Sequence, residues 1–281
     1  MLSAPSKVSA FRLDKYEVTV ARFREYLAAW NGGTGWLPPA GSGKHVHLNG
    51  GQGLAELNLD GTTAFEPGWN PRDNGQLGLF LEHSQADKCG AAPTWTSSIG
   101  ANEQRPINCV DWYDAYAFCI WDGGFLPSDA EWSYAAAGGS EEREYPWGTT
   151  PPGSSNQYEI IGDDQMNCYY PKLAPCMFPG SMAPAGTAYL GAGHWGQVDL
   201  LGNVAEWMLD SAGAVFRVQE TNSADPSLSD LPCADCVYQG NPGRALRGGS
   251  FVDSYQYVPI QAADAASSVN YDRGFRCARS P

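Results

Sequence analysis

The chain has 281 residues, enough for one large domain with a substantial core, and no apolar run approaches the roughly 18 residues of a membrane helix. Its 31 acidic and 17 basic residues give a net charge of −14, a field that repels phosphate backbones and argues against nucleic-acid partners. With 33 Gly, 20 Pro and 10 Trp, the composition describes short elements and abundant loops pinned by large aromatic side chains.

Residues 11–18 alternate apolar and polar positions, as a half-buried strand does. Thr19 follows where a helix N-cap belongs, and Val20, Phe23, Leu27 and Trp30 recur at helical spacing. Residues 31–104 form a long loop-rich insertion, expected to be pinned by Trp36, Trp69 and Trp95 and by a disulfide from Cys89. Within it, His45-Val46-His47 would put two imidazoles on one side of a strand, but the surrounding Gly-rich polar loop predicts surface histidines. A second helix is expected over 111–122, capped by Asp111 and stopped by Gly123-Gly124. Ser128 with Glu131 makes a capping box for a third, with its body over 130–137. Beyond Pro146 the pattern is loops and short strands. No repeat or linker interrupts the chain, which reads as a single domain over 1–281.

The eight cysteines stand at 89, 109, 119, 168, 176, 233, 236 and 277. Cys233-Ala-Asp-Cys236 is the sole Cys-x-x-Cys, with no second pair or His-x-x-x-His to complete a zinc site. Disulfides fit better and imply an oxidising compartment, so an extracellular or periplasmic location is expected. The opening Met1-Leu2-Ser3-Ala4-Pro5 is not an export signal, and the chain is expected to begin after a removed one.

Five segments in order, FRLDKYEVT from Phe11, RPINCVDWYDAYAFCIWDGGFLPSDAEWSYAAAGG from Arg105, YPWG from Tyr145, GQVDLLGNVAEW from Gly196, and RGGS to GFRC between Arg247 and Cys277, resemble the formylglycine-generating-enzyme (sulfatase-modifying factor) family. The resemblance implies an α+β fold of C-type-lectin-like architecture, loop-rich, with two or three helices and short twisted sheets. It also implies a disulfide between Cys119 and Cys277, while Ala136 stands where a second family disulfide would have a partner. Pairs Cys89–Cys109, Cys168–Cys176 and Cys233–Cys236 are expected for the rest. Trp132 and Trp207, each after a Glu, are expected in the core, and Gly248-Gly249 at positive φ or in close backbone contact.

Aerobic enzymes of the family oxidise a sulfatase cysteine with copper held by two cysteines beyond the Gly-Gly-Ser motif. Asp253 and Val258 occupy those positions here. Copper(I) requires soft sulfur ligands, so copper chemistry of that kind is not expected. A three-histidine iron site, used by other enzymes on this fold, would have to draw on His45, His47, His83 and His194, which show no such set. Structural calcium is the expected cofactor. The Gly-Asn-Val-x-Glu-Trp loop resembles a family calcium site, with Asn203, the Val204 carbonyl and Glu206 as oxygen ligands. A second family calcium site falls near Asn156, Asp163 and Asp164, although the spacing departs from the family's.

Residues 251–273 lie between two family motifs on the surface that family enzymes use for substrate. Ser250, Asp253, Ser254, Tyr255, Tyr257, Asn270, Tyr271 and Asp272 combine rigid aromatics with adaptable hydrogen-bonding groups, as a paratope does. The expected function is therefore non-catalytic binding of a protein, peptide or glycan ligand. Two alternatives stand beside it: a divergent metal-dependent oxidase for sulfatase maturation, and a variable protein of a diversity-generating retroelement.

Overall fold

The computed structural model describes residues 7–57, 62–78, 89, 93–153, 155–211, 234–239, 243–254 and 262–281. The hydroxyl of Thr19 accepts from the Arg22 N–H and starts helix α1, Val20–Trp30, which ends at Asn31 in the left-handed conformation. Its buried face is Val20, Phe23 and Tyr26. Helix α2, Trp112–Trp121, starts where the Asp111 carboxylate accepts from the Asp114 N–H. Helix α3, Asp129–Ala136, carries the full Ser128–Glu131 capping box.

The helices pack around short sheets. The largest has the order β10-β6-β8-β9, from β6 (Ala205–Ser211), β8 (Gly243–Arg247), β9 (Ala262–Ala265) and β10 (Arg273–Gly274). Within it β6 pairs antiparallel to β8 and parallel to β10. Every residue of β6 is buried, which makes it the spine of the domain. The insertion contributes β2 (Ala55–Leu57) and β3 (Thr63–Phe65), and β2 adds β7 (Cys236–Val237) on its other edge. Strand β4 (Asn167–Cys168) pairs with β5 (Ala174–Pro175). The expected strand over 11–18 reduces to β1, Arg12–Leu13, paired with β11, Ala278–Arg279. The rest of that segment still follows the C-terminus, because Asp14 N donates to the Cys277 carbonyl and Val18 N to the Phe275 carbonyl.

Phe23, Tyr26, Phe118 and Phe275 form one aromatic cluster between α1, α2 and the C-terminal segment, with centroids 5.2–6.2 Å apart. Trp207 is fully buried and donates its indole N–H to the Val110 carbonyl. Trp132, also buried, donates to Glu206. The disulfides Cys119–Cys277, Cys89–Cys109 and Cys168–Cys176 are formed, and Cys236 is disulfide-bonded as well. Cys233 lies outside the described residues. Cys89–Cys109 ties the insertion to the segment before α2, and Trp69 seats its indole in the main core. No helix among the described residues is long and apolar enough to cross a membrane.

Candidate functional site

Gly248 and Gly249 both take positive φ and deliver the chain into a turn at Ser250. Ser250 is fully buried. Its N–H and hydroxyl both donate to one carboxylate oxygen of Asp253, each at 2.8 Å, so Asp253 closes the turn. Gly162 N then donates to the Asp253 carbonyl, and Ser254 continues alongside Gly162. From the other side of the sheet, Asn270 accepts the Cys109 N–H on its carbonyl and the Tyr271 N–H on its side chain. The Tyr271 ring packs on Phe178, with centroids 4.8 Å apart, and on Phe251.

The Phe251 contact sets Tyr271 beside the Ser250–Asp253 turn, and Asp253 and Asp272 are close enough for their charges to interact. Tyr255 and Tyr257 lie outside the described residues, as does Val258. Burial pushes the Asp272 carboxyl above its ordinary range; the neighbouring Arg273 opposes this, and the charge of Asp253 adds to it. Arg273 also reaches Asp264 at 3.1 Å. Two polar atoms here are buried without a hydrogen-bond partner, Ser254 Oγ and Arg273 Nε. The segment thus combines carboxylates with an aromatic ring, and two of its buried polar atoms are without a partner.

The loop expected to hold calcium has a different occupant. Gly202 must be glycine, since its φ is +80° and a Cβ would sit 2.2 Å from the Ile160 carbonyl oxygen. Asn203 follows at φ +62°, its side chain accepting from Ala183 N and donating to Glu17 at 2.7 Å. Glu206 takes the Arg276 guanidinium on both oxygens at 2.6–2.9 Å and the Trp132 indole on one. Three N–H groups, the Arg276 Nε–H shared between both oxygens, make four contacts to this carboxylate. Glu206 is thus neutralised by an arginine, and the Asn203 side chain is committed to Ala183 and Glu17. Glu17 and Asp199, also buried, share that one cation; burial and mutual repulsion hold Glu17 far above the usual carboxylate range.

Open oxygens occur nearby, just before Ile160, whose carbonyl accepts the Asn203 N–H. Both carboxylate oxygens of Glu159 are buried without a partner, and so is Oδ1 of Asn156 three residues earlier. Burial alone pushes Glu159 up to about 7. Asp163 is committed differently, accepting from Gln165 N and from both Asn167 N and its side-chain amide. Sequence reading named Asn156 but passed over Glu159, since a lone Glu in a loop carries no signal. The one grouping of three ligating residues among those described, Asp14, Asp122 and Cys277, is no metal site. Arg22 and Arg279 each bridge both carboxylates, and Cys277 is in a disulfide.

The histidines also depart from expectation. His45 is fully buried rather than exposed, its Nδ1 3.0 Å from Glu66 and its Nε2 3.0 Å from Glu131. Burial opposes its charge, but the two carboxylates outweigh that and raise its pKa to about 10. His47 turns away to the Ser280 hydroxyl at 3.1 Å. The pair does not converge on a metal; His45 clamps the insertion to the start of α3.

A family model described as the sulfatase-modifying factor enzyme 1-like domain matches residues 3–281. The formylglycine-generating enzyme of Mus musculus is 28% identical over 283 residues, covering 96% of this chain, and the chain spans 66% of that enzyme's length. Inactive C-alpha-formylglycine-generating enzyme 2 of Mus musculus is 28% identical over 193 residues, 66% of this chain and 52% of its own. The solved structure of PvdO from Pseudomonas aeruginosa shares the fold, with a TM-score of 0.51 at 17% identity over 98% of this chain and 82% of that one.

Proposed function

The chain belongs to the sulfatase-modifying factor enzyme 1-like domain family, and from that premise we propose that it is a ligand-binding member rather than a cysteine oxidase. The observation that carries this reading is Asp253. It stands where the family resemblance puts the first copper thiolate, and its carboxylate is held by the N–H and hydroxyl of Ser250. A hard oxygen donor tied into a turn does not serve copper(I). Every cysteine among the described residues is already in a disulfide, which leaves no thiol there to replace it. That a relative carries the name of an inactive enzyme supports the idea that the fold is retained without the chemistry.

The ligand face is Asp253, Ser254, Asn270, Tyr271 and Asp272, with Tyr255 and Tyr257 adjoining in sequence. Two carboxylates beside an aromatic ring suit a peptide that offers N–H donors and a Lys or Arg side chain. Calcium, held through Asn156 and Glu159, would act as a structural brace for the loop before this face. The disulfides support an oxidising compartment, extracellular or periplasmic.

Two measurements on the full chain test this. Copper-loaded protein is incubated with a cysteine-containing sulfatase peptide under air, and aldehyde is captured with a hydrazide. No aldehyde above the protein-free control is expected, and its formation would restore the oxidase reading. In parallel, a random peptide library is panned on the chain. Enriched basic peptides that lose about tenfold in affinity with Asp253→Ala or Tyr271→Ala support the binding face. Enrichment indifferent to both variants, or none, refutes it.

A further inference from the structure

A groove of about 660 Å³ lies between the segment 8–13, helix α3 and the turn at Trp195. It shares no lining residue with the 250–273 face. Val8, Phe11 and Leu13 line it together with Tyr134, Trp195 and Gln197. We propose that this groove is a carbohydrate-binding site, which stacks a neutral pyranose ring on Trp195, itself backed by Tyr134, and accepts a sugar hydroxyl on Gln197.

Three observations converge on that class of ligand. Tyr134 and Trp195 stack with centroids 5.4 Å apart and planes 16° from parallel, yet they remain 38% and 49% exposed. Large aromatic faces left in solvent at the mouth of a concavity are unusual outside binding sites. The platform is also braced. Gly139 passes so close that a Cβ there would lie 2.9 Å from the Tyr134 hydroxyl and 3.2 Å from the Trp195 ring. His194 abuts Trp195 edge-on at 4.7 Å and contacts Arg143 and Glu141, each at 3.0 Å.

Gln197 supplies the polar half. It is only 8% exposed, and its Oε1 is buried with no hydrogen-bond partner. A buried amide oxygen left open in a groove wall calls for a donor from outside the protein. A sugar offers both parts at once: an apolar C–H face for the indole and an O–H for the amide oxygen. No carboxylate or lysine lines the groove, and its one charged side chain, Arg12, donates Nε to the Ser280 carbonyl; the net charge of −14 on the chain is what disfavours an anionic sugar.

The test sets the wild-type chain, Trp195→Ala and Gln197→Leu side by side on a printed array of neutral, sialylated and sulfated glycans, with melting curves for each. Wild type is expected to retain neutral glycans, and both variants to lose about tenfold in signal while melting within about 2 °C of it. Gln197→Leu removes an acceptor that has no partner in the free protein, so a structural role alone would not produce that split. A second readout needs no variant: a retained glycan should slow N-bromosuccinimide oxidation of Trp195, mapped by peptide mass. Retention of acidic glycans only, retention unchanged in Trp195→Ala, unprotected Trp195, or no neutral glycan at all overturns the proposal. So does a peptide ligand that Trp195→Ala abolishes.

Discussion

Arg276 and Glu206 form an ion pair with no exposure on either side, Nη2 standing 2.6 Å from Oε1. The guanidinium also donates to the carbonyls of Asp14, Lys15, Val198 and Asp199, so one side chain ties the C-terminal segment to the N-terminal segment and to the loop before β6. Removing one member of a buried pair strands the other charge. Arg276→Met is expected to cost about 3–5 kcal/mol, read from urea unfolding at pH 7. A loss below about 1 kcal/mol would mean that another cation compensates Glu206, and would reopen the Asn203–Glu206 loop as a metal site.

Glu159 predicts a calcium effect with a definite sign. Its folded pKa is raised from 4.5 to about 7. Without metal, the folded state therefore holds a proton that the unfolded state releases between those values, and stability falls as pH rises from 4.5 through about 7. At 1.36 kcal/mol per unit the loss is about 3 kcal/mol. Glu159→Gln removes it, so the metal-free variant should be more stable than wild type at pH 8 and equal to it near pH 4.5. Added calcium should raise the wild-type melting temperature at pH 8 and leave Glu159→Gln unchanged. An equal calcium response in both proteins would exclude Glu159 as a ligand.

The His45 clamp has the opposite pH dependence. With a folded pKa raised from 6.5 to about 10, its stabilisation is complete below pH 6.5 and lost as pH rises through about 10. Removal leaves Glu66 and Glu131 buried without their shared cation. His45→Ala should cost about 3–5 kcal/mol at pH 6, and the gap to wild type should narrow by pH 10. Limited proteolysis should then cut within 31–104 first, since that is the segment the clamp holds to α3. A gap independent of pH would show that His45 acts by packing alone.

Cys119–Cys277 spans 158 residues and joins α2 to the segment before β11. Chain-entropy arguments give about 5 kcal/mol for a loop of that length. Paired replacement with Ala should lower stability by that order, about twice the loss expected for Cys168–Cys176, whose separation is 8. Denaturant midpoints of the two double variants decide the ranking. Equal losses would mean that strain or residual structure, not loop closure, governs both.

Local sequence determined the elements whose determinants are local. Thr19, Asp111 and Ser128 cap the three α-helices among the described residues because each places a side-chain oxygen within reach of the N–H three residues on. The motif order pointed to the fold and to the Cys119–Cys277 bond. What the sequence could not determine is where charges find partners. Glu206 in the Gly-Asn-Val-x-Glu-Trp loop reads as a cation ligand until the tertiary structure brings Arg276 to it from 70 residues away. His45 reads as a surface histidine until Glu66 and Glu131 meet it from two sides. Glu159 and Gln197 carry no pattern at all; their open oxygens exist only because folding removed the water around them. Helix caps depend on neighbours in the chain, whereas burial and ion pairing depend on neighbours in space, and those only the folded structure supplies.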